Sequence, residues 1–202
     1  MEVAKMKFTK IPETTMQNIQ LNAGVLLSEF NPATPTISLS NIIGATTGGV
    51  NFRATPTFTD FGEDIDNCPK NTKELKQLDN WEVVLSGTYV TITAALAKGL
   101  VALADVDSTD ATHIVPRNDV SQDDFDEIWW VGDYSDKTGN TNGGFVAVKM
   151  SNALSTGGLQ IQSTDKNKGQ FAFEYTAHYS ISEQEKVPFD VYVKAGTAEP
   201  SL

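Results

Sequence analysis

The chain has 202 residues, a formal net charge of −11 and a pI near 4.5. A chain of this length can bury a sizeable core, so we expect one domain over residues 1–202 that needs no metal or disulfide for stability. The acidic balance argues against a phosphate-binding surface over the whole chain, and the lone cysteine, Cys68, excludes an intrachain disulfide.

We expect the two ends of the chain, residues 1–18 and 195–202, to be flexible arms that order only when they pack against neighbouring molecules. The N-terminal segment lacks the apolar stretch of a signal peptide. No apolar run approaches the roughly 18 residues of a membrane span. These features favour a soluble protein, without membrane association, that is made and assembled in a cytoplasm.

Strand patterns begin in the first quarter of the chain. PTISLSNII alternates apolar and polar residues, and VNFRATPTF places apolar residues at even spacing, broken at Pro56. Between them lies GATTGG, residues 44–49. It lacks the lysine of a phosphate-binding loop and the following helix of a dinucleotide-binding motif. We therefore interpret it as a flexible connection between two strands, in which glycine supplies positive φ angles.

Two long excursions interrupt the strand patterns. Residues 60–80 are charged and lack period-two alternation, and residues 105–126 are rich in Asp, Ser and Thr. Loops of this length are unusual inside a compact domain and are often functional. Both excursions are therefore candidate functional loops.

The segment NWEVVLSGTYV predicts a strand that points Trp81, Val83, Leu85 and Tyr89 to one face. It leads into TAALAKGLVALAD, where alanine and leucine recur near helical spacing, and we expect one main helix near residues 93–104. A second, short helical turn is expected at SNALS, residues 151–155.

Further strands follow in the second half. FDEIWWVGDY and GGFVAVKM flank Asn142-Gly143, a hairpin signal, and VPFDVYVK is a last short strand. QFAFEYTAHYS has the cleanest alternation, with Phe171, Phe173 and Tyr175 on the face expected to be buried. Many short strands with one helix predict a mainly β fold, a two-sheet β-sandwich or barrel with one flanking α-helix.

The residue types needed for catalysis or metal binding do not cluster in the sequence. His113, His178 and Cys68 are too far apart for the short ligand spacing of a zinc site. DYSDKTGNTNGG misses the glycine and glutamate positions of an EF-hand calcium loop, and no G-x-S-x-G motif occurs. The adjacent acids of QDDFDEIWW fit a solvated turn before a strand better than the separated pair of a glycosidase. We expect no enzyme activity, no metal and no cofactor.

Three segments of the first half resemble the major tail protein of long-tailed bacteriophages. They are LNAGVLLSEFNP, NIIGATTGGVNFRATPTFTDFGEDID and KQLDNWEVVLSGTYVTITAALAKGLVA, in this order. The resemblance depends on their combination: a GATxGG loop, an acidic loop, and a W-E-V-x-L-S-G strand that leads into an alanine-rich helix. The second half of the chain shares only general features with this family: alternating strands, an Asn-Gly hairpin and a short terminal strand.

This resemblance implies a tail-tube subunit with two packed sheets and a flanking helix. It implies hexameric rings whose inner sheets join into one barrel and which stack into a tube that conducts DNA without specific binding. The implied partners are other copies of the chain, a tape measure protein, and tail-tip and tail terminator proteins. The implied location is the virion tail, and the host cytoplasm during assembly.

Contacts between subunits or between stacked rings are expected in two places. Residues 60–80 would form an assembly loop, since a purely solvated loop has little use for spaced apolar side chains; alternatively, these side chains fold back onto their own sandwich. Residues 22–32 belong to the resemblance and form the second place. The expected interface residues are Asn22, Phe30, Phe61, Ile65, Leu75 and Leu78.

The acidic balance also fits a DNA conduit. A lysine-rich wall would bind phosphates through counterion release, whereas a neutral or acidic wall avoids this. Glu82 and Glu174 lie opposite the apolar faces of their strands and are the candidate lumen-facing acids. Two other function classes stay open: a monomeric β-sandwich module that binds carbohydrate or acts as an adhesin, and a hydrolase.

Overall fold

The computed structural model describes residues 18–133 and 144–195, together with positions 12 and 15. The helix is α1 (Ala94–Val101), and short 3₁₀ turns cover Leu39–Asn41, Lys73–Leu75, Gln122–Asp124 and Ile181–Glu183. The strands are β1 (Leu21–Leu27), β2 (Ile42–Gly44), β3 (Thr46–Asp60), β4 (Lys76–Tyr89), β5 (Ala104–Val106), β6 (Ile114–Pro116), β7 (Asp126–Asp133), β8 (Phe145–Ser155), β9 (Gln160–Gln162), β10 (Gln170–Ala177) and β11 (Phe189–Lys194). The prediction of a mainly β fold with a helix is confirmed.

Nine strands form one large antiparallel sheet, and β5 and β6 form a separate two-stranded sheet. The order of the large sheet is β2-β1-β7-β8-β10-β4-β3, with β11 paired to β8 and β9 paired to β10. One edge of β8 pairs with β7, and the opposite edge pairs first with β11 and then with β10. The two packed sheets that the sequence predicts are therefore two halves of one sheet, continuous through β8.

A bend at Asn152 separates the two pairings of β8. Asn152 has a positive φ of 49°, and its Nδ2 donates to the carbonyl of His178 at 3.0 Å. The predicted helical turn at residues 151–155 is wrong, because these residues complete β8.

We call β9, β10, β4 and β3 the β4 half, and we call β2, β1, β7, β8 and β11 the β7 half.

The two halves enclose a main core. Its buried residues come from both halves and from α1: Leu26, Val83, Leu85, Tyr89, Leu96, Leu100, Ile128, Met150, Ala153, Phe173, Tyr175 and Ala177. Since β1 and β4 are far apart in the sheet order, this shared cluster shows that the sheet curls over its own core. The predicted inner faces of β4 and β10 are confirmed, although Trp81 and Phe171 are only partly buried against the cluster.

A second, smaller core cluster lies on the opposite face of the β7 half. Trp129 and Val131 of β7 and Phe145 of β8 point away from the main core, because side chains alternate along a strand. Phe30 covers this cluster. Its ring centroid lies 5.6 Å from that of Trp129 and 5.3 Å from that of Phe145.

Helix α1 closes one side of the main core. Thr93 is its N-cap, and the Thr93 hydroxyl accepts a hydrogen bond from the N–H of Leu96 at 3.1 Å. Leu96 and Leu100 are buried. The helix that the sequence predicts near residues 93–104 is confirmed, but it ends at Val101.

The glycine-rich segment at residues 44–49 joins β2 to β3 and contains a β-bulge, because the strand register shifts between Thr47 and Val50. Gly48 and Gly49 have φ angles of 74° and 85°, in the left-handed region that favours glycine. The predicted positive φ angles are confirmed. The segment is nevertheless not a simple loop, because β3 already begins at Thr46.

The excursion at residues 105–126 is ordered around Arg117. The Arg117 guanidinium forms ion pairs with Asp105, Asp119 and Asp124. The Asp124 carboxylate also accepts the N–H of Ser121 at 2.7 Å. The Ser121 amide, and after it the guanidinium, lower the pKa of Asp124.

Some predicted features lie outside the described residues. The Asn142-Gly143 turn is one of them. The predicted arms at residues 1–18 and 195–202 are the others, apart from positions 12, 15, 18 and 195.

Candidate functional site

The β3–β4 hairpin continues beyond the core as an exposed arm, which we define as residues 57–79. Gly62 is the arm's one buried residue. Residues 76–80, which the sequence placed in a loop, are part of β4 because they pair with the end of β3. The loop between the two strands is therefore shorter than the predicted 60–80 and covers residues 61–75.

Asp60 orders this loop. One of its carboxylate oxygens accepts the N–H of Gly62 at 2.9 Å, and the other accepts the N–H of Asn71 at 2.8 Å. These two donors, Gly62 first, lower the pKa of Asp60. The N–H of Phe61 donates to the carbonyl of Leu75 at 3.0 Å. The two ends of the loop are thus held together, as in an Ω-loop.

Four apolar side chains of the arm are exposed, and we call them the apolar surface of the arm. Phe58, Phe61, Ile65 and Leu78 are each between 44% and 57% exposed. Phe58 and Leu78 are a cross-strand pair, and the Lys76 ammonium lies 5.1 Å from the centre of the Phe58 ring. Phe58 and Leu78 are therefore neighbours, and exposed apolar side chains that lie together are typical of an interaction surface.

Three of the predicted interface residues, Phe61, Ile65 and Leu78, belong to this surface and do not fold back onto the sandwich. Leu75 is half-buried inside the loop, where its Cδ1 would lie 3.2 Å from a Cβ added to Gly62. The sequence analysis did not single out Phe58, which is also exposed on the arm. The signal was its even spacing from the core-facing residues of β3.

The other two predicted interface residues lie near β1. Asn22 is exposed, has a φ of 62° and donates from Nδ2 to Asp133 Oδ2 at 2.8 Å. Phe30 is buried in the second core cluster, against Trp129 and Phe145. The Phe30 ring therefore packs within its own chain and does not lie on the surface.

The outer face of the β4 half is polar and carries little net charge. Arg53 Nη2 lies 2.7 Å from Glu82 Oε1, so these two charges neutralise each other. Glu174 is exposed and leaves one negative charge. We call this the polar face; none of its side chains is buried, and they are Asn51, Arg53, Thr55, Glu82, Val84, Ser86, Thr88, Gln160, Gln162, Ala172, Glu174 and Thr176. Both predicted lumen-facing acids lie on it.

The β4 half has an unpaired edge on each side, as far as the described residues show. β9 pairs with β10 alone, and the long stretch of β3 from Val50 to Asp60 pairs with β4 alone. Edge strands present free N–H and C=O groups that can pair with another chain. β9 also carries Ile161, which is 64% exposed.

The residues considered for chemistry are dispersed or already paired. Among the residues that the structure describes, no three His, Cys, Asp or Glu side chains are placed to hold a metal ion. Glu127 forms an ion pair with Lys149, and Asp124 forms one with Arg117. Trp129 is buried, and the other two tryptophans pack against the main core. The tryptophans therefore do not form an exposed sugar-binding platform.

A comparison of the sequence with protein-family models found no match, and neither did a comparison with curated proteins. Within residues 18–133 and 144–195, no helix has the length and apolar character needed to cross a membrane. Function must therefore be inferred from the arm, the polar face and the two sheet edges.

Proposed function

We propose that this chain is a structural subunit that self-assembles into stacked hexameric rings, which form the tail tube through which a long-tailed bacteriophage delivers its DNA. The observation that carries this proposal is the β4 half. It is a sheet with a core on one face, a polar face on the other and an unpaired strand at each edge. The resemblance of the first half of the sequence to major tail proteins supports it.

The two free edges suit closure into a ring. β3 of one copy can pair with β9 of the next, a head-to-tail contact that generates a ring when the rotation between copies closes. The β4 halves then form one continuous barrel with the polar face as its inner wall. This pairing also covers two edges that a soluble monomer would have to protect.

The polar face suits the wall of a DNA conduit. A wall with unpaired lysines and arginines would release counterions from DNA and retain it. Here Arg53 is neutralised by Glu82, Glu174 repels phosphates, and most of the remaining side chains are uncharged and polar. DNA passes along such a wall without being bound.

The arm supplies contacts beyond the sheet edges. Its apolar surface becomes buried when it meets another copy, either within a ring or between stacked rings. Asp60 already orders the loop at its tip, so little conformational freedom is lost on contact. By the resemblance, a tape measure protein lies inside the tube and tail-tip and tail terminator proteins bind its ends. The subunit acts without catalysis or a cofactor, in the virion tail after assembly in the host cytoplasm.

Negative-stain electron microscopy of the concentrated full-length protein tests this proposal. We expect rings or tubes of uniform diameter. Replacing residues 63–72 of the arm loop with a short glycine linker should leave a soluble, β-rich monomer that forms no tubes. The matched control replaces residues 108–112 of the β5–β6 loop and should assemble like the parent.

Two outcomes would contradict these expectations. Tubes formed by the arm-loop variant would remove the arm from the assembly contacts. A parent protein that stays monomeric at every concentration would contradict the tube function, and a monomer that binds glycans would favour the adhesin alternative.

A further inference from the structure

A cavity of about 420 Å³ opens between α1 and the β7 half. Its floor is apolar, formed by Leu96, Ile128 and Ala153, and the buried Tyr175 also lines it. Its volume lies within the roughly 300–1,000 Å³ of typical ligand sites. The cavity therefore has room for a few side chains of a peptide.

The mouth of the cavity has an unpaired negative charge. Three acids line it, of which Asp124 is paired with Arg117 and Glu127 with Lys149. Asp126 has no hydrogen-bond donor and no ion pair among the described residues, and partial burial raises its pKa. Lys98 of α1 attracts this carboxylate without forming an ion pair with it. An apolar floor beside an unpaired carboxylate suits an occupant that is both apolar and cationic.

The segment before β1 has this chemistry. Residues 3–11, VAKMKFTKI, contain three lysines and no acid, and we call them the basic segment. Met6, Phe8 and Ile11 interleave with its lysines. The basic segment lies outside the described residues.

The direction of β1 favours docking in a second copy over docking in the same chain. Leu21, at the start of β1, pairs with Asp133, whereas Leu27 at its end is followed by Ser28, which lines the cavity. Leu21 is therefore separated from the cavity by the length of β1, about 20 Å at strand rise. The chain that precedes Leu21 leaves the subunit at the end remote from its own cavity.

We propose that the basic segment docks in this cavity of a second copy of the chain, with an apolar side chain on the floor and a lysine against Asp126. This inference rests on the proposed self-assembly and adds to it a specific contact that links copies. It also supplies a partner for Asp126, which has none among the described residues.

Cross-linking of two marked preparations of the full-length Cys68→Ser protein tests the docking. One carries Thr9→Cys in the basic segment, and the other carries Ser28→Cys at the cavity. A short bismaleimide should link the two chains. Ser163→Cys, an exposed serine after β9, replaces Ser28→Cys in the control and should not be linked. Absence of the Thr9–Ser28 product overturns the inference. In a further sample, one chain carries both Thr9→Cys and Ser28→Cys, and linkage found only within that chain also overturns it.

Charge variants test the lysine contact. Asp126→Asn, and separately the triple variant Lys5→Gln, Lys7→Gln and Lys10→Gln, should each lower the cross-linking yield about fivefold. Glu183→Gln, a change at an exposed acid outside the cavity, should leave the yield unchanged. Asp126→Asn and the triple lysine variant leave the core side chains unchanged, so an unchanged cross-linking yield in either of them overturns the inference.

Imaging the same samples separates this inference from the tube function. Rings without the Thr9–Ser28 product overturn the docking and leave the tube function standing. The product without rings or tubes supports the docking and contradicts the tube function. Absence of both overturns both.

Discussion

The two ends of the β3–β4 hairpin differ in burial although the same strands build them. Near the core the inner face is fully buried, as at Val83 and Leu85, whereas farther out Phe58 and Leu78 are 50% and 44% exposed. The apolar side chains continue, but the opposing layer ends near Phe189, whose ring lies 5.4 Å from Trp81. Apolar alternation thus defines a face of a strand, and the next layer decides whether that face is buried.

The largest expected difference between core and arm comes from truncating one phenylalanine in each. Phe173 is buried and its ring centroid lies 4.4 Å from that of Tyr89. Phe173→Ala should therefore lower the free energy of unfolding by about 3–5 kcal/mol. Phe61→Ala on the arm should change it by less than about 0.5 kcal/mol. Urea denaturation of both variants measures this, and equal losses would abolish the distinction.

Added methyl groups should give the next largest effect. A Cβ on Gly87 would lie 2.7 Å from Phe173 Cζ, so Gly87→Ala should destabilise the protein by about 1–3 kcal/mol through overpacking. In the arm loop, a Cβ on Gly62 would meet Cys68 Sγ and Leu75 Cδ1 at 3.2 Å. Gly62→Ala should cost less than about 1 kcal/mol of global stability, because the loop can open locally. Thermal unfolding of both variants checks the ranking.

Acidification should affect the arm and the rest of the fold differently, because each contains a carboxylate with a lowered pKa. Backbone N–H donors lower the pKa of Asp60 and of Asp124 from the ordinary value of 3.8. Each carboxylate therefore stabilises the folded form above that value, and the contribution is lost as the pH falls through the lowered pKa of the folded state. Protonation of Asp60 should open only the loop at residues 61–75. Protonation of Asp124 should lower the stability of the fold outside the arm.

Hydrogen exchange measured between about pH 5 and pH 2 checks this expectation. On acidification, the amides of Gly62 and Asn71 should lose protection by a larger factor than those of β10. In Asp60→Asn the same two amides should be poorly protected at every pH. Equal loss of protection in the loop and in β10 would show that the arm and the rest of the fold open together.

The smallest effect is expected on the polar face. Arg53 and Glu82 form an ion pair whose side chains are 54% and 52% exposed. A double-mutant cycle with Arg53→Ala and Glu82→Ala should give a coupling energy of about 0.2–1 kcal/mol, reduced by added salt. A larger, salt-independent coupling would mean that this pair is shielded from water, unlike the rest of the polar face.

Features with local sequence signals could be predicted. The inner faces of β4 and β10 follow from period-two alternation, and α1 follows from its alanine and leucine spacing. The glycines at positions 48 and 49 indicated positive φ angles, which the bulge in β3 uses. The apolar residues of the arm were predicted to contact other copies, which stays a prediction; the structure leaves Phe61, Ile65 and Leu78 exposed.

Features that depend on distant partners could not be predicted. Residues 76–80 have no strand pattern of their own and become part of β4 because β3 pairs with them across a bulge. Phe30 is buried by Trp129 and Phe145, which lie far along the chain. Residues 151–155 tolerate a helix locally, but β8 pairs there with β10, and tertiary pairing overrides propensity. The cavity under α1 likewise depends on segments that are distant in sequence.

The position of β8 in both halves of the sheet has a consequence for how the protein unfolds. Loss of β8 would take one neighbour from β7, one from β10 and the one described partner of β11, so neither half of the sheet keeps all its strand pairs when the other half unfolds. The two core clusters should therefore melt in a single cooperative transition. If the chain polymerises as proposed, subunits that unfold in this all-or-none way reach the growing end either fully folded or not at all, so the polymer is built from a uniform population of folded subunits.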